Sequence, residues 1–115
     1  MLLDAGILKI CRLEEKSEGG SMPKEMLVEV SQHYYGERTI GFSRQYAAKG
    51  VNQQVDLLAE IWQDREIRAG MYAVDDTDTQ YRIDQVQHKE NEDGLRVTWL
   101  TLSRLEALYD VATEA

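Results

Sequence analysis

The segment from Gln80 to Arg104, QYRIDQVQHKENEDGLRVTWLTLSR, constrains the fold most, because it has the pattern of two strands joined by an acidic turn. Such a hairpin fixes which residues face each other across the two strands. If residues 91–94 form the turn, every residue of one strand has a partner on the other. The pattern then pairs Glu90 with Leu95, His88 with Val97, Val86 with Trp99 and Ile83 with Leu102.

The apolar residues of this hairpin change faces halfway along both strands. Side chains alternate between the two faces of a strand. A two-layer sandwich would keep one face apolar throughout, whereas a long hairpin that bends round a small barrel can bury both. The pattern therefore predicts two covered surfaces, with Trp99 buried in the core. One face carries Val86, His88, Leu95, Val97 and Trp99, and the other carries Tyr81, Ile83, Leu100 and Leu102.

The length of 115 residues predicts a single domain over residues 1–115. No apolar run approaches the ~20 residues that span a bilayer, and the first ten residues lack a secretory signal pattern, so we expect synthesis in the cytosol and no membrane partner. The only cysteine, Cys11, excludes an intramolecular disulfide. Its alternation with Lys9 and Leu13 predicts burial as a small apolar residue.

The formal net charge is −8, and the acidic excess is confined to the second part of the chain. Residues 1–50 carry seven basic and seven acidic side chains, while residues 51–115 carry six basic and fourteen acidic ones. Nucleic-acid-binding proteins usually have the reverse, a basic stripe that neutralises phosphates. Tight binding to DNA is therefore not expected.

Residues 7–13 have the pattern of a first strand, and a polar connection follows them. The connection contains a glycine pair and the only proline, which predict an exposed and mobile loop. It is longer than most hairpin loops, so it is either functional or disordered. Its residues are Glu14, Glu15, Lys16, Ser17, Glu18, Gly19, Gly20, Ser21, Met22, Pro23 and Lys24.

The chain from Met26 to Phe42 has the longest regular alternation and predicts a half-buried strand or strand pair. Gly36 lies in the phase expected to be buried, where a missing side chain commonly marks a bulge or sharp bend. We therefore expect the strand to turn a corner there. The residues predicted to be buried are Met26, Val28, Val30, Tyr34, Ile40 and Phe42.

Ser43 to Lys49 has a capping serine, two alanines and a following glycine, which predict one short helix. Periodicity leaves residues 51–67 open between helix and strand. A short strand is predicted at Met71–Val74 and a turn at Asp75–Thr79. The tail from Leu105 is expected to form a short helix or to fray.

No pattern of catalytic or metal-binding residues is present. His33 and His88 lack partners at metal-ligand spacing, and the aspartates of residues 75–78 lack the glycine and glutamate of a calcium loop. There is no nucleophile elbow, phosphate loop or dinucleotide fingerprint. The sequence therefore predicts neither an enzyme nor a cofactor. Stacking of nucleic acid bases on the tyrosines is a weaker alternative than core and interface roles, given the acidic balance.

The segment YYGERTIGFSRQYAAKGVNQQVDLLAEIW, with GMYAV, YRIDQVQH and DGLRVTWLTLSRLE after it, resembles the head-closure proteins of tailed bacteriophages and prophages. The resemblance covers roughly residues 26–108. It implies a mainly β fold, a small β-barrel with one short inserted α-helix at residues 43–49, and a strand at residues 54–62. The motif residues, structural or interfacial in role, are Tyr35, Arg38, Thr39, Ile40, Gly41, Arg44 and Tyr46.

The resemblance also implies a non-enzymatic virion protein that forms a ring below the portal and its adaptor, closes the DNA-filled head and docks the tail. The implied partners are the portal or adaptor ring, tail proteins and further copies of this chain. Assembly would take place in the bacterial host cytoplasm, and the final location would be the head–tail interface of the virion. Residues 14–24 would be the channel or contact loop. A tail-completion or tail-terminator subunit and a small ligand-binding barrel are the alternatives.

We expect double-stranded DNA to bind this protein weakly or not at all near physiological salt, because acidic groups outnumber basic ones after residue 50. Fluorescence anisotropy with a labelled duplex measures this directly. Micromolar affinity with a steep dependence on salt would contradict the expectation and favour a nucleic-acid-binding barrel.

Overall fold

The computed structural model describes residues 3–16, 24–38 and 57–111. These residues form a mainly β structure without a helix, which confirms the predicted fold class at that level. No helix with the length and apolarity of a membrane span occurs among them. The predicted helix at residues 43–49 lies outside the described residues. The strands are β1 (Gly6–Lys16), β2 (Lys24–Arg38), β3 (Leu57–Trp62), β4 (Tyr72–Val74), β5 (Gln80–Glu90), β6 (Arg96–Arg104) and β7 (Asp110–Val111).

The strands pair in the order β1-β4-β5-β6-β3-β2-β7, and an additional pairing of β1 with β2 closes six of them into a ring. All of the pairings within the ring are antiparallel, and β7 adds to β2 in parallel. The strand expected at residues 54–62 is confirmed over Leu57–Trp62, and the one expected at Met71–Val74 is confirmed over Tyr72–Val74.

The main hydrophobic cluster draws on all six strands of the ring. Because side chains alternate along each strand, residues two apart reach the same interior. Ile67, from the connection between β3 and β4, joins the cluster, and Val86 packs against it. The strand residues of the cluster are Leu8, Ile10, Tyr35, Leu57, Ala59, Ile61, Ala73, Tyr81, Ile83, Leu100 and Leu102.

The predicted register of the β5–β6 hairpin is wrong by one residue near the turn. The turn closes on Asn91 and Leu95, because the backbone N–H of Asn91 donates to the carbonyl of Leu95 and the Asn91 side-chain oxygen accepts from two amides. Gly94 takes the left-handed conformation, with φ of 76°. Glu90 therefore pairs with Arg96, His88 with Thr98 and Val86 with Leu100. Ile83 pairs with Leu102, as predicted.

Contrary to the prediction, one residue of β5 has no partner on β6, and it forms a β-bulge. Asp84 has no partner on β6, between the pairs made by Ile83 and Gln85. The bulge changes the phase of β5, so that Val86 faces the same interior as Ile83. Trp99 lies opposite Gln87, on the outer face of the ring. The prediction that Trp99 is buried in the core is therefore wrong, and its side chain is half-buried outside the ring.

A second bulge, in β2, reverses the alternation of buried and exposed residues and makes the predicted burial wrong beyond it. Val30 has no partner on β1, between the pairs Ile10–Ser31 and Cys11–Glu29. Beyond the bulge Tyr35 faces the interior, whereas Tyr34 and Val30 are exposed, contrary to the expectation that both are buried. Gly36 is not the bulge; it is where β2 begins to pair with β3. The expected burial of Ile40 and Phe42 concerns residues outside the described ranges.

The outer half of the β1–β2 hairpin extends beyond the last pairing of β1 with β4, at Cys11. We call this part the arm, residues 12–16 and 24–28. The ladder continues to the pair Lys16–Lys24, so the expectation of a loop from Glu14 to Lys24 is wrong at both ends. Glu14, Glu15, Lys16 and Lys24 belong to strands, because a regular antiparallel ladder satisfies their backbone groups. Residues 17–23 lie outside the described ranges.

A second hydrophobic cluster, on the outer face of the sheet, anchors the base of the arm. Cys11 is fully buried there with Leu27 and Val74, which confirms the expected burial of the cysteine. Burial raises the pKa of the Cys11 thiol to about 11. Tyr72 and Tyr109 complete the cluster in an edge-to-face contact with ring centroids 5.6 Å apart.

The C-terminal segment neither forms a helix nor frays over its described length, to Val111. The side chain of Gln80 holds it, donating to the carbonyl of Tyr109 at 2.8 Å and accepting from its N–H at 3.0 Å. Strand β7 then pairs with Met26 and Leu27 of β2, and Asp110 forms an ion pair with Lys24. Specific pairing with a buried glutamine outweighs the weak local helical preference of this segment.

We expect Leu100→Ala to lower the free energy of unfolding by ~2–5 kcal/mol, because Leu100 is fully buried in the main cluster. Leu108→Ala is the matched control, since that side chain is 70% exposed and should change stability by under ~0.5 kcal/mol. Urea titrations of both variants measure the difference. A loss below ~1 kcal/mol for Leu100→Ala would show that the ring interior is not the core.

Candidate functional site

A row of polar and aromatic side chains crosses the outer face of four neighbouring strands. The indole Nε1–H of Trp99 donates to Glu60 Oε2 at 2.9 Å, and Glu60 is only 1% exposed. Arg38 Nη1 lies 3.7 Å from the other carboxylate oxygen. Lys89 Nζ lies 3.8 Å from the centre of the Trp99 ring. We call Lys89, Trp99, Glu60 and Arg38, with Glu92, the Trp99 cluster.

Register explains why these side chains meet. Trp99 pairs directly with Glu60, and Glu60 pairs directly with Gly36. Since Gly36 has no side chain, the neighbouring Arg38 is the residue of β2 that reaches Glu60. The buried carboxylate thus receives a hydrogen bond from one side and a positive charge from the other, which offsets the cost of its burial.

Arg38 links the cluster to the β5–β6 turn. Its two terminal nitrogens face the two carboxylate oxygens of Glu92 at 3.3 and 3.4 Å, a two-pronged contact. A backbone hydrogen bond and the Arg38 guanidinium lower the pKa of the Glu92 carboxyl group. Arg38 also lies 5.1 Å from the Trp99 ring centre, within the range of a cation–π contact. The guanidinium is therefore held in place while remaining 30% exposed.

Tyr35, the other described motif residue, faces the opposite way, into the ring. It is 4% exposed, and burial, with the nearby carboxylates of Asp75 and Asp76, raises its pKa to about 12. The phenol therefore stays uncharged at physiological pH and packs as a core residue. The structure does not bring Tyr35 and Arg38 into one site. The remaining motif residues, Thr39, Ile40, Gly41, Arg44 and Tyr46, lie outside the described ranges.

A basic cleft of about 320 Å³ lies beside the Trp99 cluster, at the end of β5 and β6 nearest their turn. Three cationic side chains and one carboxylate line it, which gives the cleft a local positive charge in an acidic chain. Arg65, Lys89 and Arg96 are all exposed. The lining residues are Gln63, Arg65, His88, Lys89, Glu90 and Arg96.

The walls of the cleft are fixed by the hydroxyl of Thr98, which is fully buried. It accepts a hydrogen bond from the backbone N–H of Asp64 at 3.0 Å and contacts His88 Nδ1 at 2.9 Å. The Gln63 N–H donates to the carbonyl of Arg96 at 3.3 Å. These contacts hold the β3–β4 connection against the hairpin, so that Arg65 and Arg96 line the same cleft.

Sequence reasoning missed both sites because they depend on contacts between distant segments. The Trp99 cluster follows from the pairing of β3 with β6 and with β2, and the cleft follows from the contacts of residues 63–64 with β6. The register of β5 against β6 was also predicted wrongly, because the bulge at Asp84 has no glycine to mark it. The side-chain oxygen of Asn91 was the available signal, because an asparagine that begins a turn often accepts from amides two residues ahead. That signal would have moved the turn by one residue and placed Trp99 opposite Gln87 instead of Val86.

The described residues contain no group of three histidine, cysteine, aspartate or glutamate side chains able to hold a metal ion. His33 contacts Ser31 at 3.0 Å and Asp64 at 3.2 Å, and His88 contacts Thr98. The cluster and the cleft present fixed charge and an aromatic ring at the surface, which suits recognition of a partner.

No protein-family model matches the chain, and no curated protein matches it.

We expect Trp99→Phe to lower the free energy of unfolding by ~1–3 kcal/mol, because it removes the hydrogen bond to the buried Glu60 carboxylate. Trp62→Phe is the matched control: Trp62 is 53% exposed on the neighbouring strand, so its replacement should cost under ~0.5 kcal/mol. Denaturant titration of both variants provides the comparison. Equal stabilities for the two variants would mean that the indole–carboxylate bond contributes nothing.

Proposed function

We propose that this protein is a non-enzymatic structural subunit of a tailed phage or prophage, forming a ring under the portal and adaptor that closes the DNA-filled head and docks the tail. The sequence resemblance suggests this role, and the strands found at the expected positions are consistent with it. In this proposal the six-stranded ring is a small β-barrel, and residues 43–49 are its inserted helix.

The observation that carries the proposal is the arm. Five residues of β1 continue past the last pairing with β4, which corresponds to roughly 17 Å of ribbon at ~3.4 Å per residue, with β7 added beside Met26 and Leu27. The molecule is correspondingly elongated, 52 × 33 × 24 Å. A subunit that must contact layers above and below its own ring needs such a projection. Residues 17–23 join its two strands and would be the channel or contact loop.

Exposed aromatic residues supply surface for contacts between proteins. Tyr34 is 66% exposed and Trp62 is 53% exposed, both on the outer face of the ring. The β2–β3 register, in which Gly36 faces Glu60, would align Tyr34 with Trp62 two residues further on. Tryptophan and tyrosine are the residues that most often dominate interface energies. These two side chains are therefore the proposed contact points with neighbouring proteins.

Charge is consistent with a channel through which DNA moves. An acidic surface repels phosphates and lets the duplex pass without sticking. The net charge of −8 also opposes premature association of free subunits. A preformed adaptor ring presents many weak sites at high effective concentration, which overcomes this opposition.

A small ligand-binding barrel is the second candidate. The same exposed pair, Tyr34 and Trp62, favours it, because aromatic rings on a barrel surface can stack against the bases of single-stranded nucleic acid. The acidic balance weighs against that ligand. A tail-completion subunit remains the alternative among virion proteins, and only its position in the particle distinguishes it.

We expect the purified protein to be a monomer or small oligomer and to form a ring only on a portal–adaptor complex. Light scattering on the isolated chain and electron microscopy after mixing test the two parts. Combining Trp62→Ala with Tyr34→Ala should reduce ring formation at least tenfold, since two interface anchors of this kind typically contribute ~2 kcal/mol or more. Leu108→Ala, a control at another exposed apolar residue, should not. If the wild-type protein never joins the complex, the ligand-binding barrel becomes the better proposal.

A further inference from the structure

The basic cleft has no role in the function proposed above, and its charge is opposite to that of the chain as a whole. The lining contains three cationic side chains, Arg65, Lys89 and Arg96, and one carboxylate, Glu90. The cleft is shallow and open, with a volume of about 320 Å³, so it has room for one or two side chains but not for a length of duplex. Nucleic-acid binders commonly neutralise about 6–10 phosphates, which three cations cannot do. The expected occupant is therefore a short acidic segment of a protein.

Such a segment exists on this chain. The turn at residues 75–79 presents two exposed carboxylates, Asp76 and Asp78. The turn is rigid, because the Asp75 Oδ1 atom accepts from the Thr77 N–H and hydroxyl and from the Thr79 N–H, at 2.8 to 3.0 Å. Tyr81 donates to the other oxygen of the same carboxylate at 3.3 Å. The backbone that carries the two exposed charges is thus held in place.

The turn cannot enter the cleft of its own chain. It precedes Gln80 at the start of β5, whereas the cleft lies at Glu90, at the end of the same strand. Ten residue steps in a strand correspond to roughly 34 Å. A contact between the turn and the cleft must therefore join two copies.

We infer that the cleft binds the acidic turn of a neighbouring copy of this chain, with Arg65 and Arg96 facing Asp76 and Asp78. The contact joins two different surfaces, so it repeats from copy to copy and gives a ring when the rotation closes. It rests on the ring function proposed above and names the contact that would build the ring. The pairs are exposed, so the contact is weak and sensitive to salt.

Reversal of the charge at Arg65 tests the contact, and the same reversal at Arg68 is the control. Sedimentation equilibrium at high protein concentration and low salt measures weak self-association into small oligomers for the wild-type chain, for Arg65→Glu and for Arg68→Glu. We expect Arg65→Glu to weaken association at least about fivefold. Arg68→Glu makes the same charge change at an exposed residue outside the cleft and should leave association unchanged. Equal effects of the two variants would overturn the proposal.

The complementary variant is Asp76→Lys, which alone should weaken association to a similar extent. Mixing it with Arg65→Glu should restore association, since the reversed turn then meets a reversed cleft. Asp78→Asn removes the second exposed negative charge of the turn. Asparagine tolerates the left-handed backbone conformation at this position, where φ is 63°. Thermal melts confirm that each variant is folded. An equimolar mixture without restored association would overturn the proposal.

Two further measurements separate this contact from its alternatives. If a short DNA duplex binds the wild-type chain and Arg65→Glu abolishes that binding, the cleft takes phosphates and the proposal is wrong. In electron micrographs of a portal–adaptor complex, normal rings of Arg65→Glu would refute the contact and leave the ring function intact. Restored association of the mixed variants, without any joining to the complex, would support the contact and refute the ring function.

Discussion

Pairing of β1 with β2 joins β1, at one edge of the sheet, to a strand near the other edge. Without it the main hydrophobic cluster would be open along one side, because Leu8 and Ile10 come from β1 and Tyr35 from β2. Closure also satisfies backbone groups that an open edge would leave available for aggregation. The same hairpin then extends past the ring as the arm. Closure of the core and projection of a contact surface thus depend on one ladder of hydrogen bonds.

Two bulges adapt these strands to the ring, at Val30 in β2 and at Asp84 in β5. Each changes the phase of its strand, so that one continuous strand supplies two surfaces. In β2 the change puts Leu27 in the outer cluster and Tyr35 in the interior. In β5 it keeps Ile83 and Val86 on the same side. A bulge bends its strand and increases the local twist, which a small closed ring requires.

Local alternation predicted the existence of the strands well, because burial of every second residue leaves a period of two in the sequence. It predicted faces poorly beyond each bulge, since a bulge inserts one residue and reverses every assignment after it. Tyr34 was misplaced for this reason. Trp99 was misplaced because the bulge in β5 pairs Val86 with Leu100 and not with Trp99. The anchoring of the C-terminal segment by Gln80 was not predictable either, because it depends on contacts between residues 29 positions apart. Of the candidate site, only Arg38 was identified from the sequence, through the motif resemblance, and its partner Glu60 was not.

Net charge and local charge have opposite consequences in this molecule. The charge of −8 acts over about a Debye length and disfavours every approach of two copies or of DNA. The cleft places Arg65, Lys89 and Arg96 near one end of the β5–β6 hairpin with one lining carboxylate, so a partner that reaches the cleft meets a local positive charge. Repulsion at long range with complementarity at short range penalises contacts in the wrong orientation. A subunit of this kind should associate weakly in solution and more strongly where a template holds copies close together, and then in one orientation.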